Sequence, residues 1–200
     1  MLKSKTFRRI IKALVATILL LVTAYFILTR VTTSVTNNTD SYEYNLPFKE
    51  GATYEVGQGY GGLFTHRYTA AIDFDMPVGT PVYAAREGIV YSYKDNGDEG
   101  GVFPKYKRKA NYIIIKHDDG SFGCYWHLQK DGVLVKRGRV SKGQQIGFSG
   151  ATGLVLRPHL HFSVKAKLNY DMDSFRKTKF KTTEGLIFLK QGKSYKRPEN

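Results

Sequence analysis

The sequence predicts an all-β domain preceded by one N-terminal transmembrane helix. From about residue 50 onward, short runs rich in Val, Ile, Tyr, Phe and Thr alternate with closely spaced glycines, and almost no stretch has the length or periodicity of a helix. Residues 13–29 form a long uncharged, largely apolar run near the N-terminus. The composition, 42% hydrophobic and 24% charged, is typical of a folded domain rather than a disordered chain.

Residues 1–30 are expected to form a cytoplasmic basic stub and a transmembrane signal-anchor. Lys and Arg residues precede the uncharged run, which as a helix would extend about 25 Å, close to the ~30 Å hydrocarbon core of a bilayer. The positive-inside rule then makes this a single-pass protein of the cytoplasmic membrane, with its domain in the periplasm or on the cell surface. The alternative is a signal peptide cleaved near Ala24, which would make the domain a secreted one.

Residues 31–50 are expected to form a polar linker, because they are rich in Thr, Ser and Asn and lack helical periodicity. Residues 51–200 then form the domain, with its core in residues 57–164. The clearest hairpin turns at Asp119 and Gly120, because Asp-Gly supplies the positive φ of tight turns. An edge strand is expected at residues 174–181. The other candidate strands are residues 53–56, 71–74, 81–84, 88–94, 112–117, 121–127, 145–148 and 159–165.

The charge and the cysteine content restrict the possible partners and metal ligands. The formal net charge is +14, of which residues 1–30 contribute +6 and residues 31–200 contribute +8. Outside the cytoplasm, that excess of +8 favours a polyanionic cell envelope over nucleic acid as the partner. The single cysteine, Cys124, excludes an internal disulfide and a cysteine-rich zinc site. Any metal must therefore be bound by histidine and carboxylate, and Cys124 is expected to pack in the interior.

Strand alternation sorts the histidines by face. It places His159 and His161 on one side of a strand and Leu160, Phe162 and Val164 on the other, which is a ready core face. Two imidazoles pointing the same way can serve one metal site.

The same alternation places Asp73 opposite Ile72, and His127 on the side of Tyr125. Three strands thus each present a metal-binding or proton-transfer group opposite an apolar face. His117 shares its strand with no second ligand type, so it is expected to be a structural histidine.

Several motifs, in order along residues 57–164, resemble those of the lysostaphin/LytM-type zinc metalloendopeptidases. After His66 come AIDFDMPVGTPVYAAREGIV from Ala71, YWHL from Tyr125, VSKGQQIGFSGATG from Val140 and PHLHF from Pro158. The resemblance implies an antiparallel barrel-like sandwich, a duplicated hybrid motif. It also implies hydrolysis of peptide bonds in the stems or cross-links of bacterial peptidoglycan.

The resemblance further implies the roles of five side chains. His66, Asp73 and His161 would bind one Zn²⁺ per chain, and His127 and His159 would be catalytic histidines that do not bind it. Three nitrogen and oxygen ligands leave a fourth tetrahedral position for water, as hydrolytic zinc sites require. The spacer between His66 and Asp73 is longer than is common in the family, so a longer loop must return His66 to the metal.

Two further points concern the groove and the alternative function. The segment Leu154-Val-Leu-Arg157, just before Pro158, stands where the family often has small, glycine-rich residues, and it is expected to alter the groove wall. The alternative to an enzyme is a catalytically silent member that binds peptidoglycan or activates other wall hydrolases, with a regulatory protein partner. The presence of all five site positions favours the enzyme.

Overall fold

A long N-terminal helix precedes a predominantly antiparallel β domain. The computed structural model describes residues 2–62, 65–67, 69–169 and 174–199. The helix is α1, Leu2–Asn37, and Pro104–Tyr106 form a short 3-10 turn. The strands are β1 Thr39–Asn45, β2 Thr53–Gln58, β3 Ala71–Phe74, β4 Pro81–Tyr83, β5 Gly88–Lys94, β6 Gly100–Gly101, β7 Asn111–Lys116, β8 Phe122–Val133, β9 Arg139–Val140, β10 Gln145–Ser149, β11 Gly153–Leu154, β12 Leu160–Lys165, β13 Phe175–Thr182, β14 Gly185–Ile187 and β15 Ser194–Lys196.

Thirteen of these strands form one branched sheet. Its main path is β15-β2-β3-β12-β8-β7-β5-β9, with β10 and β4 branching from β8, and β13, β1 and β14 branching from β12. The main path is open, since no pairing within the described residues joins β15 to β9. The described strands therefore form no closed barrel, and the barrel-like sandwich with a duplicated hybrid motif stays a prediction. The all-β, mostly antiparallel class is confirmed.

Strand β12 is the centre of the sheet and has two distinct faces. Leu160, Phe162 and Val164 are buried in the main apolar cluster, as alternation predicts. On the other face, His161 lies directly opposite Asp73 of β3 on one side and opposite Trp126 of β8 on the other. Register alone thus brings the residues of three strands together at one spot.

Packed aromatic rings fix the strands that carry this face. The Phe162 ring contacts Tyr125 at a centroid distance of 5.0 Å and Phe180 at 5.8 Å. Tyr44 packs edge-on against Phe162 at 6.2 Å. Full burial of such a side chain contributes roughly 1.5–3 kcal/mol, so β1, β8 and β13 are all held against β12.

The predicted β7–β8 hairpin is present. Lys116 pairs with Phe122, and the turn between them is closed by the amide of Gly120 donating to the carbonyl of His117 at 3.0 Å. Gly120 has φ +82°, which glycine adopts without steric cost. The predicted strand at residues 174–181 is also present as β13, but it lies between β1, β12 and β14 rather than at an edge.

The expected polar linker is wrong for residues 39–48, which belong to the domain. Strand β1 pairs in parallel with β13, and the side chains of Tyr44, Leu46 and Phe48 are fully buried. These three residues occur at every second position, which is the pattern of a strand, but neighbouring Thr, Ser, Asp and Asn residues obscure that pattern. Composition indicated a tether, but burial of every second side chain decides the structure.

Helix α1 contains the segment predicted to be the signal-anchor. Within the described part of the chain, no helix combines the length and the apolar character that crossing a membrane requires.

Candidate metal centre

Three of the predicted site residues converge on a single point. Nδ1 of His161 lies 2.8 Å from Oδ1 of Asp73, and Nε2 of His66 lies 3.2 Å both from that oxygen and from Nδ1 of His161. In a tetrahedral site with zinc–ligand distances of about 2.0–2.1 Å, ligand atoms are about 3.3–3.4 Å apart. A slight outward movement of these three atoms would therefore admit a zinc ion, and this donor set of two imidazoles and a carboxylate is one that zinc prefers.

His66 reaches this point from the long loop between β2 and β3. Its side chain is fully buried, and its Nδ1–H donates to the carbonyl of Gly59 at 3.1 Å. Because a carbonyl oxygen only accepts, that bond leaves the lone pair on Nε2, the atom that faces Asp73 and His161. The longer spacer thus still delivers a correctly oriented imidazole.

The charge states of the ligands suit a metal. Burial acts to raise the pKa of Asp73, but the neighbouring imidazoles of His161 and His66 outweigh it and hold the pKa well below its ordinary value. Burial also lowers the pKa of His161, against the opposing effect of Asp73. An ionised carboxylate and a neutral imidazole are the forms that bind metal ions.

His127 and His159 lie beside these three residues. Their ring centroids are 4.7 Å apart, and His127 is 5.8 Å from the ring of His161. The Nδ1–H of His127 donates to the carbonyl of Thr152 at 2.7 Å, and that of His159 donates to the carbonyl of Arg157 at 2.8 Å. Both imidazoles are thereby held in the tautomer that keeps the Nε2 lone pair free.

The environment keeps His127 neutral. Burial, together with the neighbouring His159 and His161, lowers the pKa of His127 to about 3. The ring is therefore uncharged at neutral pH, and its fixed tautomer leaves the lone pair on Nε2.

A β-bulge places His127 in the site. Trp126 pairs with Tyr112 and Leu128 with Asn111, so His127 is an extra residue on β8, and its φ is 66°. Tyr125 lies in the core, so the expectation that it shares the face of His127 is wrong. Simple alternation assumes an unbroken ladder, and the bulge breaks the ladder at the position that matters.

The comparison with protein families decides the membership. The model of the family described as "Peptidase family M23" matches residues 67–173, more than half of the chain. The chain belongs to peptidase family M23. The family resemblance read from the motifs is confirmed, and with it the predicted class, a zinc-dependent peptidase. His66 directly precedes the matched range.

Curated M23 relatives include peptidoglycan DD-endopeptidases of Vibrio cholerae. ShyA is 42% identical over 93 residues, which cover 46% of this chain and 19% of ShyA. ShyB is 37% identical over 129 residues, which cover 61% of this chain and 27% of ShyB. This chain therefore matches about a fifth to a quarter of the length of these relatives.

Solved M23 structures are also similar. The antimicrobial peptidase lysostaphin from Staphylococcus simulans is 29% identical, with 68% of this chain and 51% of that chain covered and a TM-score of 0.49. A zinc-containing peptidase from Vibrio cholerae is 28% identical, with 62% of this chain and 36% of that chain covered and a TM-score of 0.42.

The sequence analysis missed Gln58, which supports the M23 site from β2. Its Nε2 donates to Oδ2 of Asp73 at 3.3 Å and to the hydroxyl of Thr65 at 2.7 Å. Simple alternation groups Gln58 with the buried Val56, but a bulge at Gly57 sets Gln58 opposite Asp73 instead, and spacing alone does not reveal that bulge. Such partners orient the metal ligands and restrict their movement.

The remaining two candidates lie outside the site, as predicted. His117 is buried, and its Nδ1–H donates to the carbonyl of Glu87 at 2.6 Å. Cys124 is buried, and burial raises the pKa of its thiol to about 12. A thiol in that environment is protonated and unreactive, so Cys124 is a packing residue.

Proposed function

We propose that this protein is a zinc endopeptidase that hydrolyses peptide bonds in the stems or cross-links of bacterial peptidoglycan. One observation carries the proposal. Three ligand atoms of His66, Asp73 and His161 lie 2.8–3.2 Å apart, and two oriented imidazoles adjoin them. ShyA and ShyB are peptidoglycan DD-endopeptidases, and this similarity favours the DD bond of the cross-links as the one that is cut.

The five side chains have two kinds of role. His66, Asp73 and His161 hold one zinc ion, which supplies Lewis-acid polarisation of the scissile carbonyl and acidification of a water molecule. His127 and His159 are the bases, since each keeps its Nε2 lone pair through the hydrogen bond at Nδ1. Each can accept a proton at Nε2, and the pair can return one to the departing amine.

The groups that hold Nδ1 also fix where these imidazoles point. Thr152 and Arg157 offer backbone carbonyls, which are less mobile than side chains. The two catalytic rings are thus set before the substrate arrives, and such pre-organisation lowers the cost of reaching the reactive geometry.

We further propose that the domain works outside the cytoplasm and is tethered by α1. Side chains of the apolar run, including Leu14, Ile18 and Leu21, are exposed, and Lys and Arg residues precede them. A basic excess suits a polyanionic envelope, with no nucleic acid as partner. Cell fractionation tests this proposal. Recovery of the full chain in membranes with its domain open to external protease supports it, and a shortened chain in the medium would instead indicate a cleaved signal peptide.

Digestion of purified peptidoglycan tests the enzymatic proposal. We expect the full chain with bound zinc to cut peptide bonds in the stems or cross-links and to release peptides that mass analysis identifies. A chelator or the His161→Ala substitution should abolish this release. A chain that binds zinc and peptidoglycan but releases no peptide would instead be the silent scaffold or activator.

A further inference from the structure

Arg157 forms a two-pronged ion pair beside the site. Its Nε donates to Oδ1 of Asp75 at 3.1 Å, and its Nη2 donates to Oδ2 at 2.7 Å. This parallel geometry fixes the direction of the guanidinium as well as its distance. Arg157 is the last residue of the segment 154–157, which was expected to alter the groove wall.

The ion pair links β3, which carries Asp73, to the segment before β12, which carries His159. Asp75 follows β3, the strand that carries Asp73. The backbone amide of Asp75 donates to the carbonyl of Glu55 on β2 at 2.9 Å, and this bond fixes the backbone at Asp75. Arg157 lies two residues before His159, and the carbonyl that accepts the Nδ1–H of His159 belongs to Arg157 itself. The side chain and the carbonyl of one residue therefore hold Asp75 and His159 together.

The segment that carries Arg157 is exposed. Leu156 is 77% exposed, and Pro158 also faces solvent. Upstream, the amide of Val155 donates to the carbonyl of Gly101 at 3.0 Å, and downstream His159 forms a bridge with Gly150. Between these two anchor points, the Arg157 side chain supplies a tie to the body of the domain.

Gly57 gives independent support for a built contact. It is the unpaired residue of a bulge in β2, where Val56 pairs with Phe74 and Gln58 with Asp73. A Cβ at Gly57 would collide with the carboxylate of Asp75 and the guanidinium of Arg157. The backbone of β2 is therefore shaped to admit the ion pair.

We propose that the Arg157–Asp75 ion pair positions His159 by fixing the carbonyl that orients its ring. Arg157 and Asp75 thus act through His159, as positioning residues. The inference rests on the proposed peptidase function, in which His159 is a base. Loss of the pair frees the carbonyl and lets the imidazole turn, while the metal ligands stay in place.

Proton NMR of the full chain tests the positioning directly. We expect a solvent-protected Nδ1–H signal of His159, assigned by its loss in His159→Gln. Compared with wild type, this proton should exchange with water at least about 10-fold faster in Arg157→Gln and in Asp75→Asn. In the double variant Asp75→Arg/Arg157→Asp, exchange should be slower than in either single variant. Arg139→Gln, which removes an exposed arginine that pairs with Asp118, is the matched control and should not change the signal. Equal protection in all these variants would overturn the proposal.

Kinetics supply the second readout. We expect kcat on cross-linked peptides to fall about 10- to 100-fold in Arg157→Gln with KM nearly unchanged and about one zinc bound, and the charge-reversed double variant to regain most of it. The kcat of Arg157→Lys should lie between those of Arg157→Gln and wild type, because an ammonium group keeps the charge but cannot make the two parallel bonds. Loss of zinc together with kcat, or failure of the double variant to regain kcat, would contradict positioning. An inactive wild-type chain would refute the peptidase function, whereas the NMR comparison would still decide on the ion pair.

Discussion

Gln58 donates to Oδ2 of Asp73, the carboxylate oxygen that is not shared by His66 and His161. This bond restricts rotation of the carboxylate. Removal of the amide should leave the three ligands in place but less well ordered.

We expect Gln58→Met to weaken zinc binding about 10- to 100-fold, because a partner that orients a metal ligand is lost while the side chain keeps a similar size. Competition with a chromogenic chelator measures the affinity. Gln145→Met, in β10 and away from the ligands, is the control. Equal zinc affinity of Gln58→Met and wild type would show that Gln58 does not orient Asp73.

His117 couples stability to pH. Burial lowers its pKa, so below about 6.5 the unfolded chain binds a proton that the folded chain does not. The contribution of His117 to the free energy of unfolding is complete above about pH 6.5. It declines as the pH falls from there toward the pKa of His117 in the folded chain, by up to about 1.4 kcal/mol per pH unit. Urea unfolding between pH 8 and 5.5 should therefore show a shallower pH dependence for His117→Gln than for wild type. Parallel curves would contradict this role.

The bulge at His127 makes a separate prediction about β8. A non-glycine residue with φ 66° carries strain of about 1 kcal/mol, which glycine avoids. We expect His127→Gly to be more stable than His127→Ala by about that amount in urea unfolding, although both lack the ring. Both should retain zinc and lose at least about 100-fold in kcat/KM. A less stable glycine variant would contradict the bulge.

Particular elements show what a sequence can predict here. Strand β12 and the β7–β8 hairpin were predictable, because a period of two and an Asp-Gly turn are local signals. Strand β1 was missed, because its apolar residues are interleaved with polar ones that resemble a linker. The face of His127 was also missed, since an extra residue in a ladder leaves no local signal.

The site shows the same division between local and long-range information. Motifs pointed to five side chains, and the structure brings all five together. The position of His66 depends on how a long loop closes onto Gly59, and that of Arg157 on a partner, Asp75, that is distant in sequence. Contacts of this kind follow from the assembled sheet rather than from spacing.

The extent of the folded unit follows from the burial of β1. Tyr44, Leu46 and Phe48 are fully buried, and each contributes roughly 1.5–3 kcal/mol, a sum comparable to the whole stability of a typical domain, about 5–15 kcal/mol. We expect a chain that starts at residue 38 to fold and one that starts at residue 51 to be unfolded or aggregated. Circular dichroism and thermal melts distinguish them. Equal stability of the two chains would contradict this boundary.

The zinc content of wild type and His66→Ala, measured by elemental analysis after exhaustive dialysis, tests the metal centre most directly. His66 reaches Asp73 and His161 from the loop between β2 and β3, whose path sequence spacing alone does not determine. We predict about one zinc ion per wild-type chain and almost none in the variant, with the fold of both intact by circular dichroism. A wild-type chain without zinc, or a variant that retains a full equivalent, would contradict the account.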